Sequence, residues 1–308
     1  MKIFLSKINE SWVVDRFRQD WYLSNPDIST EKIKDSDIIW IISPWLWKKI
    51  SKKQLKQKKV VCSIYHIDFD SFTSSDQKDF KQMDDFVDFY HVISDHTKIQ
   101  LSKLTNKKII SIPFWVDNKI FKNLNDKSNL RRNLGFNEKD FLIGSFQRDT
   151  EGKDLKSPKL IKGPDIFLEI IKKYYSQSHN SIVVLTGKRR DYLINNFQEQ
   201  NINYKYYEML SVEEVNKLYN ILDLYIVSSR VEGGPQAIME CAISKTPIVS
   251  TDVGIAPQVL NPISIYKNIE EFKNAKPDIN FAYNKAIEYV IPIGMSPYIK
   301  MFEELYEN

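Results

Sequence analysis

The sequence predicts an α/β protein made of two doubly wound, Rossmann-like domains, and three observations carry that expectation. Short β-rich runs alternate with amphipathic helical stretches from end to end. Several runs are continuously apolar, as in Ile182-Val-Val-Leu185, which is how a parallel strand buried on both faces reads. The runs also fall into two series. The first is Ile3–Ser6, Ile38–Ser43, Val60–Tyr65, Phe89–Ser94 and Lys108–Ile112. The second is Phe141–Phe146, Ile182–Thr186, Tyr204–Tyr207, Leu224–Ser228 and Pro247–Ser250. Between the series, Pro113-Phe-Trp-Val-Asp-Asn118 marks the domain boundary, and the helical stretch Asn129–Gly135 leads into the second set. Helical spacing from Gly163 to Tyr175 puts Ile166, Phe167, Ile170 and Ile171 on one side. In doubly wound sheets ligands sit beyond the carboxyl ends of strands, so chemistry is sought just after each run.

Composition narrows the class. Of 308 residues, 42 % are hydrophobic, 13 % aromatic and 27 % charged, which is globular and excludes wholesale disorder. The net charge of +4 is small for a dedicated nucleic-acid binder, so no nucleic-acid partner is expected. Cys62 and Cys241 lie far apart, which supplies neither a disulfide framework nor a cysteine zinc site. The N-terminus turns polar after Met-Lys-Ile-Phe-Leu-Ser and does not read as a signal peptide. The longest apolar stretch, Ile38 to Trp47, is interrupted by Ser43 and Pro44 and falls short of the ~20 residues that cross a bilayer. A soluble, cytoplasmic protein is the expectation.

The segment Ser228-Ser-Arg-Val-Glu-Gly-Gly-Pro-Gln-Ala-Ile-Met-Glu240 carries the most chemistry. A strand ends, Gly233 and Gly234 follow, and Pro235 is placed to open a helix in its first turn. The N–H groups at such a helix start, around Gln236, would hold a phosphate without basic side chains. Read by itself, the segment is equally an ordinary strand–turn–helix crossover bearing two solvated carboxylates.

Glu232 and Glu240, followed by Cys-Ala-Ile-Ser-Lys-Thr-Pro-Ile-Val-Ser-Thr-Asp-Val-Gly254, resemble the signature of family-4 glycosyltransferases. Those are retaining, nucleotide-sugar-dependent enzymes of the GT-B fold, two Rossmann-like domains facing a cleft. Val92-Ile-Ser-Asp-His-Thr97, Lys108 to Phe121 and Glu208 to Tyr219 are similar to family segments as well, and the likeness runs from about Val60 to Val259. The resemblance implies an acceptor-side domain at 1–115, a donor domain at 116–295 and a C-terminal helix, 296–308, returning to the first domain.

It also implies roles. Glu240 would bind the ribose hydroxyls, since a carboxylate accepts from both. Glu232 would face the transferred sugar, orienting its hydroxyls and stabilising an oxocarbenium-like ring, and His66 would hydrogen-bond that sugar. Gly233 and Gly234 would admit a close backbone approach. Arg148 and Lys162 would hold the leaving phosphate together with the helix beginning at Pro235. Lys153, Lys156 and Lys159 are rivals of Arg148, read here as a basic loop. The reaction implied is transfer of a hexose from a UDP- or GDP-sugar to a hydroxyl on a glycan or lipid-linked glycan, with no cofactor and no metal.

Three features depart from this picture or add to it. The first strand is followed by Lys7-Ile-Asn9-Glu10-Ser-Trp12-Val-Val-Asp-Arg16, where the family has a glycine-rich loop. Asn9, Glu10 and Arg16 are instead acceptor-side candidates, and Trp12 is equally a core residue of the first helix. The missing loop leaves open a degenerate homologue that binds nucleotide sugar or a partner without turnover. His66, Asp68 and Asp70 form a second alternative, a metal-dependent enzyme, because imidazole and carboxylates suit metals. Lastly, Trp45 to Lys59, with lysines from Lys48 onward and no acid, would make on one helix a basic amphipathic face for anionic lipid at the inner face of a membrane.

Overall fold

The computed structural model describes residues 1–7, 13–176 and 180–307. It divides into two compact units: Met1–Trp115 together with the C-terminal stretch from Tyr289, and Val116–Glu288. The returning segment thus starts at Tyr289, ahead of the 296 expected.

Unit 1 alternates β1 (Ile3–Leu5), α1 (Val13–Ser24), β2 (Ile38–Ile41), α2 (Lys52–Gln57), β3 (Lys59–Ile64), α3 (Ser74–Asp84), β4 (Phe89–Val92), α4 (Asp95–Leu101) and β5 (Lys108–Ser111). The strands are all parallel, in the order β1-β2-β3-β4-β5. Ile3 pairs with Ile38 on one side and makes a parallel bridge to Ser29 on the other. The chain therefore steps one way from β1 and then returns to step the other way, which is what winds helices onto both faces of a parallel sheet. Side-chain contacts agree: Trp21 of α1 packs edge-on against Trp40, whereas Phe80 of α3 stacks on Tyr90 and Met83 touches Cys62. Local sequence sets the helix starts. Thr73 and Asp76 form a reciprocal capping box on α3, and Ser94 caps α4.

The Trp40 face is closed by the C-terminal helix Ser296–Glu307, which buries Tyr298, Met301, Phe302 and Leu305, one stripe at helical spacing. Under it lies His91, fully buried. Its Nε2 is 2.8 Å from the carbonyl of Ile112, which can only accept, so Nε2 carries the proton. Nδ1 then accepts from the Ser63 hydroxyl at 2.8 Å, and Ser63 Oγ in turn accepts from Trp40 Nε1–H at 2.8 Å.

The expected helix through Lys48–Lys59 is not continuous. A 3-10 turn spans Pro44–Lys49, Ser51 caps the short α2, and Lys59 already belongs to β3. Pro44 opens the turn ahead of the run, the Ser51 cap interrupts it, Trp47 turns inward, and Lys48 pairs with Asp79. Among the described residues no helix is long and apolar enough to cross a membrane.

Unit 2 comprises α5 (Lys127–Asn133), β6 (Phe141–Ser145), the small hairpin β7 (Thr150–Glu151) and β8 (Ser157–Pro158), α6 (Pro164–Tyr174), β9 (Ser181–Thr186), α7 (Asp191–Glu199), β10 (Tyr204–Tyr207), α8 (Val212–Ile221), β11 (Leu224–Val227), α9 (Gln236–Ser244), β12 (Ile248–Thr251) and β13 (Ile265–Tyr266). Six parallel strands lie in the order β10-β9-β6-β11-β12-β13. Strand order reverses between β6 and β11, and their carboxyl ends flank the crevice where such sheets bind ligands. Phe167, Ile170 and Ile171 of α6 are buried against the sheet, with Leu168 beside them and Ile166 only partly covered.

Candidate functional site

The site of unit 2 is assembled from three chain segments that meet at the switch point. The loop after β6 supplies Gln147, whose amide nitrogen donates to the Lys162 carbonyl at 2.8 Å while its oxygen accepts from Ser229 Oγ at 3.1 Å. The turn before α6 presents Ile161, whose carbonyl takes the N–H groups of Arg230 and Val231 at 2.9 and 3.1 Å. The loop after β11 is thereby stitched to that turn. Arg230 adds a forked pair to Asp165, at 2.7 and 2.5 Å.

Two glycines permit this closeness. Gly163, at φ +61°, caps α6, and a Cβ there would lie 1.8 Å from the Ser228 carbonyl oxygen. Gly254, at φ +53°, lets the turn after β12 pass the 232–233 backbone, since a Cβ would sit 2.2 Å from the Gly233 oxygen. Gly163 and Gly254 are the left-handed glycines of the site, and the Gly233 backbone is one of the close neighbours they admit.

Within this frame Lys162 Nζ pairs with Glu232 Oε1, their side chains 20 % and 12 % exposed. Partial withdrawal from water strengthens the attraction and fixes both groups at the carboxyl end of the sheet. Arg148 lies alongside, its Nε donating to the Thr150 carbonyl at 2.9 Å. Burial and the Arg189 charge hold its pKa below the usual guanidinium range. Lys159, read from sequence as one of a basic loop, is half-buried. Burial first, and then the charges of Arg148 and Lys162, lower its pKa, with Glu151 and Glu232 opposing. Lys159 thus lies within electrostatic range of both other cations, an arrangement that favours an anion among them. Lys153 and Lys156 remain exposed.

The hairpin β7–β8 that carries Lys159 is anchored by Arg190 Nε on Asp149 Oδ2 at 2.7 Å, both side chains buried. Sequence reading takes Lys153, Lys156 and Lys159 together as a basic loop. Only the fold reveals that Asp149 and Arg190 meet.

Glu240 is buried on α9, and Tyr219 Oη donates to its Oε2 at 2.8 Å. Burial, and then the Glu240 charge, raise the Tyr219 phenol well above its ordinary value, so it stays a donor. Pro235 is the N-cap rather than the first helical residue, and α9 starts at Gln236 with no side-chain cap. In its first turn the Ile238 N–H donates to the Pro235 carbonyl at 2.9 Å. Gln147 and Tyr219 were not singled out by sequence reading. A polar residue three places after a strand glycine, and a lone hydroxyl on a buried helix face, were the only signals.

The remaining candidates fall in unit 1. His66 is partly exposed and lines a cavity there. Arg16 sits on α1 with its guanidinium 6.0 Å from the Phe17 ring centre. Asn9, Glu10 and Trp12 lie outside the described residues. Asp68 is engaged in its own turn, accepting from Asp70 N at 3.3 Å and Ser71 Oγ at 2.8 Å. Among the described residues no three His, Cys, Asp or Glu side chains are grouped to hold a metal ion, so the structure does not bring His66, Asp68 and Asp70 together as ligands.

A parallel six-stranded sheet with an ion pair at its switch point is a doubly wound arrangement of the Rossmann type. Residues 126–276, which make up most of unit 2, match the family described as glycosyl transferases group 1. The chain as a whole has the GT-B fold. HepE of Anabaena, solved with UDP, is similar over 99 % of this chain and 100 % of its own, at TM-score 0.76 and 14 % identity. Sucrose-phosphate synthase from Thermosynechococcus elongatus is similar over 98 % of this chain and 81 % of its own, at TM-score 0.72 and 12 % identity. TarM of S. aureus, solved with UDP, fondaparinux and α-GlcNAc-glycerol, covers 95 % of this chain with 59 % of its own, at TM-score 0.64 and 16 % identity. Among curated protein sequences none matches.

Proposed function

We propose that this protein is a retaining glycosyltransferase that moves a hexose from a UDP-sugar to a hydroxyl of a glycan or lipid-linked glycan, without a metal. The observation that carries the reading is the Lys162–Glu232 pair at the sheet's switch point, inside the segment that matches the family. HepE, similar in fold, was solved with UDP and with UDP-glucose, which favours uridine over guanosine.

In this reading Arg148, Lys159, Lys162 and the start of α9 take the diphosphate, and Glu240, held by Tyr219, takes the ribose hydroxyls. Breaking the anomeric C–O bond leaves the electron pair on the diphosphate and positive charge on the ring. Preorganised cations stabilise the first, and Glu232, released from Lys162 as that lysine turns to phosphate, stabilises the second. The leaving phosphate oxygen accepts the acceptor's proton on the same sugar face while the acceptor oxygen bonds the anomeric carbon, giving retention. His66 orients the transferred sugar. Exposed Lys49, Lys52, Lys53 and Lys56 extend the proposal to contact with anionic lipid headgroups.

The test is a transfer and hydrolysis assay with UDP- and GDP-hexoses in EDTA, with product anomers read by proton NMR. Lys162→Ala is expected to slow turnover by roughly 10²–10³-fold, the size seen when a preorganised charge-stabilising group is removed. An inverted product would overturn retention, and an EDTA-sensitive rate would overturn the metal-free step. Tight UDP binding with no turnover on any acceptor would instead mark a degenerate homologue.

A further inference from the structure

We propose that Asp149 and Arg190 are positioning residues of the donor site: their buried ion pair clamps the hairpin β7–β8 so that Arg148 and Lys159 are held ready for a diphosphate. This rests on the donor reading above and adds what fixes its cations. The hairpin needs such a clamp. Its ladder is two residues a side, Thr150 with Pro158 and Glu151 with Ser157, and an isolated hairpin is at best marginally stable in water. The loop after β9 holds it. There Arg189 takes φ +58°, a left-handed conformation uncommon for a residue with a Cβ. Its carbonyl accepts the N–H groups of Asp149 and Thr150 at 3.2 and 3.1 Å, and its Nη1 donates to the Gly152 carbonyl at 3.0 Å. The Tyr192 N–H, in the first turn of α7, donates to Thr150 Oγ1 at 2.8 Å, and that hydroxyl donates to Asp149 Oδ1 at 2.6 Å.

Both cations are tied to the clamped stretch. Arg148 directly precedes Asp149, and its Nε is engaged with the Thr150 carbonyl at 2.9 Å. The terminal nitrogens of that guanidinium are the forked donor from which a phosphate accepts. The Lys159 N–H donates to the Asp149 carbonyl at 2.7 Å. Stability alone is a poor reason for the ion pair. Asp149 and Arg190 are each 1 % exposed, and replacing such a pair by apolar side chains of similar volume is often neutral or stabilising. Arg190 also keeps Nη2 buried with no hydrogen-bond partner among the described residues, a further cost. What an apolar pair would not supply is direction. The 2.7 Å bond from Arg190 Nε to Asp149 Oδ2 orients the backbone on which Arg148 and Lys159 sit.

The test is a set of NMR titrations of the full chain with UDP, inorganic pyrophosphate and uridine. The proteins are the wild type, Asp149→Asn, Arg190→Lys and the pair Arg148→Ala with Lys159→Ala, the last also combined with Asp149→Asn. Asp149→Asn and Arg190→Lys are each expected to weaken UDP and pyrophosphate by at least roughly tenfold and to leave uridine unchanged. Asp149→Asn should add little once Arg148 and Lys159 are alanine, because a residue that acts through two cations then has nothing left to position. Unchanged UDP affinity in both single variants, an equal loss for uridine, or fully additive losses in the combined variant would each overturn the proposal. Hydrogen exchange of the wild type needs no variant to fold. The amides of Asp149, Thr150 and Lys159 should exchange slowly before any ligand is added, and amides that stay fast until UDP binds would overturn a preset clamp. A wild type that binds pyrophosphate but neither uridine nor, any more tightly, UDP would overturn the nucleotide reading and leave the clamp assigned. One that binds no phosphate compound would overturn both.

Discussion

Unit 1 and unit 2 are both parallel sheets with helices on two faces, yet they spend their polar groups differently. In unit 1 the buried polar centre is His91, bonded on both ring nitrogens and walled by Trp40, Phe114 and Tyr298. No charge is needed there, and burial pushes the imidazole pKa down to about 4. In unit 2 the polar groups are ionic and gather at the carboxyl ends of β6 and β11: Lys162 with Glu232, and Arg148 and Lys159 repelling one another close by. A neutral hydrogen-bonded histidine specifies packing. Cations that are partly withdrawn from water and lower one another's pKa favour an anion beside them.

The contrast can be broken most forcefully at Gly163. Alanine there would place Cβ on the Ser228 carbonyl and hold a left-handed φ, so Gly163→Ala is expected to destabilise unit 2 by about 3–5 kcal/mol. Hydrogen exchange should rise around the 160–163 turn and the 228–233 loop. Protection unchanged in those peptides would show that the two loops are not mutually dependent.

His91 sharpens the other side. Its folded pKa is below the unfolded value of ~6.5, so the neutral form is the one the fold keeps. Stability is then fully present above about pH 6.5 and is lost as pH falls towards 4, by up to about 3 kcal/mol. Urea unfolding at pH 7 and pH 4.5 should show the loss, and His91→Gln should flatten it. An equally steep acid limb in the variant would assign the effect to other groups.

The smallest expected effect is at Tyr219. Tyr219→Phe removes one buried hydrogen bond to Glu240, worth about 1 kcal/mol, so the melting temperature should fall by a few degrees and UDP should bind roughly fivefold more weakly. Titration calorimetry with UDP and 2′-deoxy-UDP sharpens this, because loosening Glu240 should also narrow the difference between the two ligands. Unaltered discrimination would mean that Tyr219 does not position Glu240 for the ribose.

Much of this was legible in the residues. The ten strand runs, the strip of apolar residues on α6, the Pro113–Asn118 junction and the Glu232–Glu240 segment are local patterns, and backbone sterics with hydrophobic periodicity make them readable one stretch at a time. Lys162 was legible because it directly precedes a glycine that opens a helix. The basic run at Lys48–Lys59 misled because charge composition says nothing of where one turn ends and a serine caps the next helix. The surroundings of Lys159 were hidden for a related reason: a hairpin cannot be told from a loose loop until its anchor is known, and Asp149 and Arg190 are 41 positions apart.

The sequence alone therefore determined the α/β class, the two series of strands and the identity of the carboxylates and cations available, since these depend on short-range periodicity and residue chemistry. Which of those groups share a volume was decided only by tertiary structure. Strand order places β6 beside β11, brings Lys162 onto Glu232 across 70 residues and sets Tyr219 against Glu240. Pairing across such distances is a property of sheet topology, in which sequence neighbours are separated and remote loops meet at one end of the strands.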